Sequence, residues 1–404
     1  MWEKDIDINA VREIRSKTLV YFGAGAIAKM DDIAKDLKAR GISKVLAVTG
    51  HGSYKKTGAW DYVTKAFDAH GIAYTLYDGV TPNPNTHQVN AAAKLGLEFG
   101  AQAVIAIGGG SAIDAGKSTA ILLKYPGKTA EELYEFQFTP TEAAPIVAVN
   151  LTHGTGSEAN RFAVVTIEEK DFKPAIAYDC IYPLYSIDDP KLMAGLSEKQ
   201  TRYVSIDAVN HVVEASTTTV TSPYAIDLAI SVVDLVAKYL PEALKDLNAV
   251  EPRYFLAYAA LIAGIAFDNG MLHYTHALEH PLSGVNPNLT HGLGLAMLLP
   301  AVIKNIYPAK GQTLAAVLKP VAPGLTGDPA EADKAAQLVE KWLFSVGADH
   351  KLEDEGFKAE DVDKMVELAF NTPSLGGLLA IAPTKADKEA VRAIYAASLK
   401  PCHK

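Results

Sequence analysis

The chain has 404 residues, with 38 lysines and arginines against 47 aspartates and glutamates, for a formal net charge of −9. That balance makes nucleic acid and anionic membrane surfaces poor partners, and 49% hydrophobic with 21% charged residues excludes a disordered or fibrous chain. No apolar run is expected to reach the roughly 20 residues of a membrane-spanning helix, the charged start Met1–Asp7 is expected not to act as a signal segment, and two cysteines, Cys180 and Cys402, point to a reducing cytoplasm.

At this length two or three domains are expected. Leu19–Phe22 reads as a strand, followed by Gly23-Ala-Gly25-Ala-Ile-Ala28, a loose match to the dinucleotide fingerprint G-x-G-x-x-A. The match is weak, because Gly50 stands where the next strand should end in a ribose-binding Asp. Lys44–Thr49 is a buried strand, then a turn Gly50-His51-Gly52-Ser53-Tyr54-Lys55-Lys56, then a helix over Trp60–His70. Ala73–Tyr77 is a strand, His87–Phe99 a helix, and Gln102–Ile107 and Pro145–Val149 two further strands. Such alternation predicts an α/β domain with a doubly wound parallel sheet, covered on both faces.

Between the last two strands lies Gly108-Gly-Gly-Ser-Ala-Ile-Asp-Ala-Gly-Lys117, which opens a helix. Adjacent glycines let backbone N–H groups approach an anion, and a helix N-terminus favours negative charge, so a pyrophosphate is the expected guest. A P-loop is excluded: five residues, not four, separate Gly110 from Gly116-Lys117-Ser118.

Beyond about residue 195 the pattern becomes helical, with helices expected over Thr201–Glu214, Tyr224–Tyr239, Tyr254–Phe267 and Ala330–Val346. The boundary is expected at Asp188-Asp-Pro190, which places a dinucleotide-binding domain at 1–190 and an all-α domain at 191–404. Within the second half, Asp207 and His211 are four apart and share one helical face, as do His276 and His280. Pro281 is expected to stop that helix. Pro281, Gly284 and Pro287 then let the chain turn back and bring His291 beside His276. One carboxylate with several imidazoles and no thiolate suits a catalytic divalent metal, without choosing iron over zinc. His273 reads as an ordinary polar residue.

These motifs together resemble the iron-containing (group III) alcohol dehydrogenase family. The resemblance rests on Pro82-Asn-Pro84, Gly108–Ser111 with Asp114, Thr152-His-Gly-Thr-Gly-Ser-Glu158, Asp189-Pro190, Asp207-x-x-x-His211, His276-x-x-x-His280 and His291-Gly292, and it spans nearly the whole chain. It implies a nucleotide domain, a helical metal- and substrate-binding domain, and an active site in the cleft. Carried over by motif, Asp207, His211, His276 and His291 hold Fe2+, or Zn2+, while His280 lies near the substrate as proton relay. Gly50, Gly52, Ser53, Asn83, Gly108, Gly109, Gly110, Ser111, Asp114, Thr152, Thr155 and Lys173 are assigned to the cofactor. The chain departs from the family in two places. His276 and His291 are one residue further apart than in many members, with the extra residue expected in Val285–Asn288. Leu151 and His153 replace small or hydroxylic residues.

The turn 50–56 has donors and cations and no carboxylate, as in NADP-preferring butanol dehydrogenase relatives, so NADP(H) is expected over NAD(H). The implied reaction is metal-assisted hydride transfer between primary alcohols and aldehydes, by a cytoplasmic homodimer or higher homo-oligomer. The rival readings are a polyol dehydrogenase, a metal-dependent cyclising synthase of sugar phosphates and a non-enzymatic metal-binding scaffold.

Overall fold

Eight strands form where β-branched runs occur: β1 (Leu19–Phe22), β2 (Lys44–Gly50), β3 (Ala73–Val80), β4 (Ala103–Gly108), β5 (Ile146–Asn150), β6 (Phe162–Val164), β7 (Ala175–Ala177) and β8 (Tyr185–Asp188). In the computed structural model, which describes residues 2–403, six of them make a parallel sheet in the order β1-β8-β5-β4-β2-β3. β6 and β7 pair separately as an antiparallel ribbon.

Alternate side chains of the sheet enter two different cores, as the period of two requires. Val45, Ala47, Ile105, Ile107, Val147 and Val149 pack with Met30, Ile33, Val63 and Phe67 from helices Met30–Ala39 and Ala59–Ala69. Leu46, Val48, Val104 and Ile146 pack instead with Val89, Ala92, Ala115 and Ile121 from helices Thr86–Phe99 and Gly110–Leu122. The sheet is therefore doubly wound. Helix Thr86–Phe99 starts where the Asn85 side chain accepts the Gln88 N–H at 3.0 Å. In register, Gly108, Asn150 and Asp188 lie side by side at the carboxyl ends of β4, β5 and β8, where open α/β sheets place their ligand loops.

The chain divides into two compact units. The sheet unit is Ser16–Leu196 with Asn248–Leu261; the helical unit takes the chain up to Arg15, then Ser197–Leu247 and everything from Ile262 onward. The first residues thus belong with the helices, not with the sheet as the boundary at 190 implied. Asp5 accepts from Thr313 Oγ1 at 2.7 Å, Arg12 donates to the carbonyls of Thr219 and Thr221, and Arg15 N donates to Asn269 Oδ1. These are pairings to distant residues that local patterning does not encode.

The helical unit is built on helices Glu198–Ala215, Pro223–Lys245, Tyr274–Val285, His291–Val317, Ala332–Ser345, Val362–Asn371 and Lys388–Ala397. Two expectations are corrected here. Pro281 does not stop its helix, which continues to Val285. One missing N–H bond is outweighed by packing, since Leu278, Leu282 and Ser283 are fully buried around it. Also, among the described residues two helices are long and apolar enough to cross a membrane: Val250–Gly270 and His291–Val317. Between 67% and 72% of their apolar windows is buried in protein, so core packing accounts for their composition.

Candidate metal centre and nucleotide turn

Asp207 and His211 project from one face of Glu198–Ala215, His276 and His280 from Tyr274–Val285, and His291 opens His291–Val317. Three imidazole nitrogens converge on one carboxylate oxygen. From Asp207 Oδ1 to the Nε2 atoms of His211, His276 and His291 the distances are 3.4, 3.5 and 3.8 Å. One donor atom each from Asp207, His276 and His291 lies within 4.8 Å of the others, and Glu279, His280 and His291 form an adjoining group with the same spacing. Asp207 Oδ1 and His276 Nε2 are buried and have no hydrogen-bond partner. Orphaned buried polar atoms are costly, and a divalent cation among them would satisfy them all. The N/O donor set is one that iron or zinc accepts.

Two glutamates aim these rings. His276 Nδ1 hydrogen-bonds Glu214 Oε2, and His291 Nδ1 hydrogen-bonds Glu279 Oε2. A carboxylate can only accept, so each Nδ1 carries the proton and each Nε2 offers its lone pair inward. Glu214 Oε1 also accepts from the backbone N–H groups of His273, Thr275 and His276 at 3.0, 2.8 and 3.3 Å, thereby capping the helix that carries His276 and His280. Ser283 Oγ donates to Glu279 Oε1.

Close helix approach brings His291 in. A Cβ on Gly292 would lie 2.0 Å from the Tyr203 carbonyl oxygen, one turn before Asp207. Only a bare position lets the two helices meet there. In the link between helices Tyr274–Val285 and His291–Val317, Leu289 N donates to the Asn286 carbonyl and Asn288 N to Asn286 Oδ1.

Burial pushes the Asp207 carboxyl upward, but the charges of His211, His276 and His291 outweigh it and hold it well below the carboxylate range. Burial lowers His211 to about 4. Burial also works to lower His276, yet Glu214 and Asp207 raise it to about 9. A cation and a proton therefore compete for the His276 Nε2 lone pair.

Glu214→Gln keeps the shape but leaves one acceptor oxygen, claimed by the backbone N–H groups of His273, Thr275 and His276, and turns an NH2 donor toward the His276 Nδ1–H. Metal affinity should fall about 10–100-fold, read by competition with a chromogenic chelator. Undiminished affinity would show that Glu214 does not orient His276. Neither glutamate was singled out in sequence. Each follows a histidine by three residues (His211 to Glu214, His276 to Glu279), but each serves a histidine of a different segment.

In the sheet unit, glycines 108–110 turn from β4 into helix Gly110–Leu122. Cβ atoms added at Gly109 and Gly110 would meet Thr152 Cγ2 at 2.7 Å and Thr155 Cγ2 at 2.4 Å, and one at Gly108 would meet Ala112 at 2.6 Å. The threonine turn after β5 therefore lies directly on the glycine turn. Ser111 is half-buried in the first turn of that helix. Asp114 faces inward, accepting from Ser157 Oγ at 2.5 Å and Val164 N at 3.0 Å, and so braces the threonine turn. Lys117 is buried and donates to Ser157, Asn160 and Phe162 oxygens at 2.6–3.3 Å, bracing the same turn.

Lys173 Nζ donates to Asn83 Oδ1 at 2.9 Å, joining two residues ninety positions apart, with Asn83 in the left-handed region at φ 52°. Gly50 ends β2, Gly52 precedes helix Ser53–Lys56, and His51, Ser53, Lys55 and Lys56 are exposed. The fold adds what that segment lacks: Asp78 of β3 lies 3.4 Å from Tyr54 Oη. The fingerprint-like Gly23–Ala28 is engaged otherwise, its Gly25 and Ile27 N–H groups donating to Asp189 Oδ2 at 3.0 and 3.2 Å.

Comparison with known proteins agrees with both regions. Residues 17–190 match the family model described as iron-containing alcohol dehydrogenase, and 201–399 match the Fe-containing alcohol dehydrogenase family, C-terminal. The chain is similar to the long-chain primary alcohol dehydrogenase AdhA of Thermoanaerobacter ethanolicus, at 56% identity over 98% of this chain and 99% of the relative. It is 28% identical to the NADPH-dependent butanol dehydrogenase of Clostridium saccharobutylicum, over 93% of this chain and 95% of that one. Among solved structures, the NADH-dependent butanol dehydrogenase A of Thermotoga maritima superposes with a TM-score of 0.88 at 29% identity, covering 96% of this chain and 98% of its own. The motifs, the fold and these matches agree: the chain is an oxidoreductase that belongs to the iron-containing alcohol dehydrogenase family.

Proposed function

We propose that this alcohol dehydrogenase uses Fe2+ and NADP(H) to interconvert primary alcohols and aldehydes. The observation that carries the metal reading is the convergence of three Nε2 atoms on the partnerless Asp207 Oδ1. Asp207, His211, His276 and His291 would hold the cation, with Zn2+ as the alternative the same donors accept. When bound, the cation supplies Lewis-acid polarisation of the substrate oxygen and the dinucleotide supplies hydride transfer at the adjoining carbon. Glu214 and Glu279 keep the ligand rings aimed. His280, buried in the group with Glu279 and His291, takes the hydroxyl proton in oxidation and returns it in reduction. Glycines 108–110 with Thr152 and Thr155 hold the dinucleotide phosphates at the start of a helix.

Primary alcohols are the proposed substrate class because the relative at 56% identity is a long-chain primary alcohol dehydrogenase. NADP(H) is proposed because Lys55 and Lys56 are exposed after β2 and no carboxylate closes that strand. Cytoplasmic residence and homo-oligomeric assembly complete the proposal, to be read by fractionation and by sedimentation.

The deciding experiment is anaerobic loading with Fe2+ or Zn2+, followed by assay on primary alcohols from ethanol to long-chain members. Fe2+-dependent turnover with kcat/KM greater for NADPH than for NADH is expected. A clear NADH preference would refute the cofactor choice, and full activity after exhaustive chelation would refute the metal.

A further inference from the structure

His153 lies in the threonine turn after β5, between Thr152 and Thr155, and the fold gives it a buried partner. Its Nε2 lies 2.6 Å from Arg253 Nη1, and both residues are fully buried. Arg253 comes from the first turn of helix Val250–Gly270, in the stretch that joins the sheet unit, and its Nη2 also donates to the Leu196 carbonyl at 3.3 Å. A guanidinium can only donate, so His153 Nε2 is the acceptor and the imidazole is neutral. Burial, and then the Arg253 charge, push the ring down to about 3. His153 therefore neither carries charge nor moves a proton near neutral pH. What it does is geometric.

The residues flanking it show the consequence. Thr152 and Thr155 are the side chains that press on Gly109 and Gly110. The turn is braced from below by Lys117 and Asp114 through Ser157, and at its other end Thr152 N is held by Asn150 Oδ1 at 3.1 Å. The His153–Arg253 contact is a further tie, made to a helix a hundred residues away. We propose that His153 and Arg253 form a positioning pair that fixes the threonine turn on the glycine turn and thereby sets affinity for the dinucleotide. The inference rests on the reading that this glycine turn holds the dinucleotide phosphates. The metal-ligand candidates all lie in the helical unit, so the pair acts on dinucleotide binding and not on metal retention.

The test uses metal-loaded, full-length protein, with NADPH binding followed by its own fluorescence and steady-state kinetics run at saturating alcohol. In His153→Ala and in Arg253→Met, the Kd for NADPH and the KM for NADP should each rise about tenfold, short of the ~10²-fold that a 1 Å misplacement of reacting groups can cost. Metal content and alcohol KM should hold, and kcat at saturating NADP should change less than Kd. The double variant should be no worse than Arg253→Met alone, because the pair acts as one unit. His153→Gln, whose amide oxygen can accept from Arg253, should recover most of the affinity. It keeps the test open if His153→Ala does not fold. Unchanged Kd in His153→Ala, additive losses in the double variant, or a Kd in His153→Gln as poor as that of Arg253→Met would each overturn the proposal. Failure of the underlying reading looks different: wild-type protein would bind no dinucleotide, or Gly110→Ala would bind it undiminished.

Discussion

His276→Ala protein, purified anaerobically, should carry no stoichiometric metal and lose about 10³-fold in kcat/KM, the equivalent of several kcal/mol of charge stabilisation at the substrate oxygen. His276 is the centre of the cluster. Its Nε2 is 3.5 Å from Asp207 Oδ1, its ring lies 4.7 Å from His211 and 5.4 Å from His291, and its Nδ1 is held by Glu214. Removing it takes away one donor and leaves Glu214 as a buried carboxylate without its ring partner. His280→Ala should behave differently, retaining metal while turnover falls about 10²-fold, the usual scale for losing a proton-transfer group. Metal analysis beside the kinetics separates the two, and equal metal content in both variants would contradict the assigned roles.

Lys351→Met should destabilise the helical unit by about 3–5 kcal/mol, the cost of stranding one member of a buried ion pair. Lys351 Nζ donates to Glu340 Oε1 at 3.0 Å and to the Met297 carbonyl at 2.9 Å, with side-chain exposures of 3% for Lys351 and 0% for Glu340. Met297 sits on the helix that begins with His291, so the pair ties that helix to Ala332–Ser345. The other oxygen, Glu340 Oε2, accepts the N–H groups of Cys402 and His403 at 2.7 and 2.8 Å and the His403 ring at 2.5 Å.

Burial would raise the Glu340 carboxyl, but these donors and the Lys351 charge bring it down to about 2. A depressed carboxyl stabilises above its unfolded value of about 4.5 and loses that contribution as pH falls through 2. Glu340→Gln should therefore flatten the acid arm of the stability profile between those limits. Because the chain has two units, unfolding is best followed by hydrogen exchange of amides in Ala332–Ser345 as well as by a global signal. A Lys351→Met midpoint matching wild type would show that the pair is not stabilising.

Legibility differed between the two regions for a physical reason. Strand and helix periodicity, and the close glycines before a helix, are local signals. The ten elements expected from pattern alone, from Lys44–Thr49 to Ala330–Val346, all appear, with ends shifted by up to six residues. The histidine spacings were equally readable, since i and i+4 share a helical face whatever the fold. Pro281 misled because its local cost was weighed without the packing around Leu278 and Leu282.

Sequence alone therefore determined the α/β-then-helical plan, the glycine turn, and which side chains offer donors from which helical face, because each depends on neighbours within a turn or a strand. Tertiary structure alone decided that Glu214 aims His276 and Glu279 aims His291, that bare Gly292 lets His291 approach Asp207, and that Arg253 holds His153. Those partners stand between 12 and 100 residues apart. Which buried acceptor meets which buried donor is set by how helices pack, and packing has no period to read along the chain.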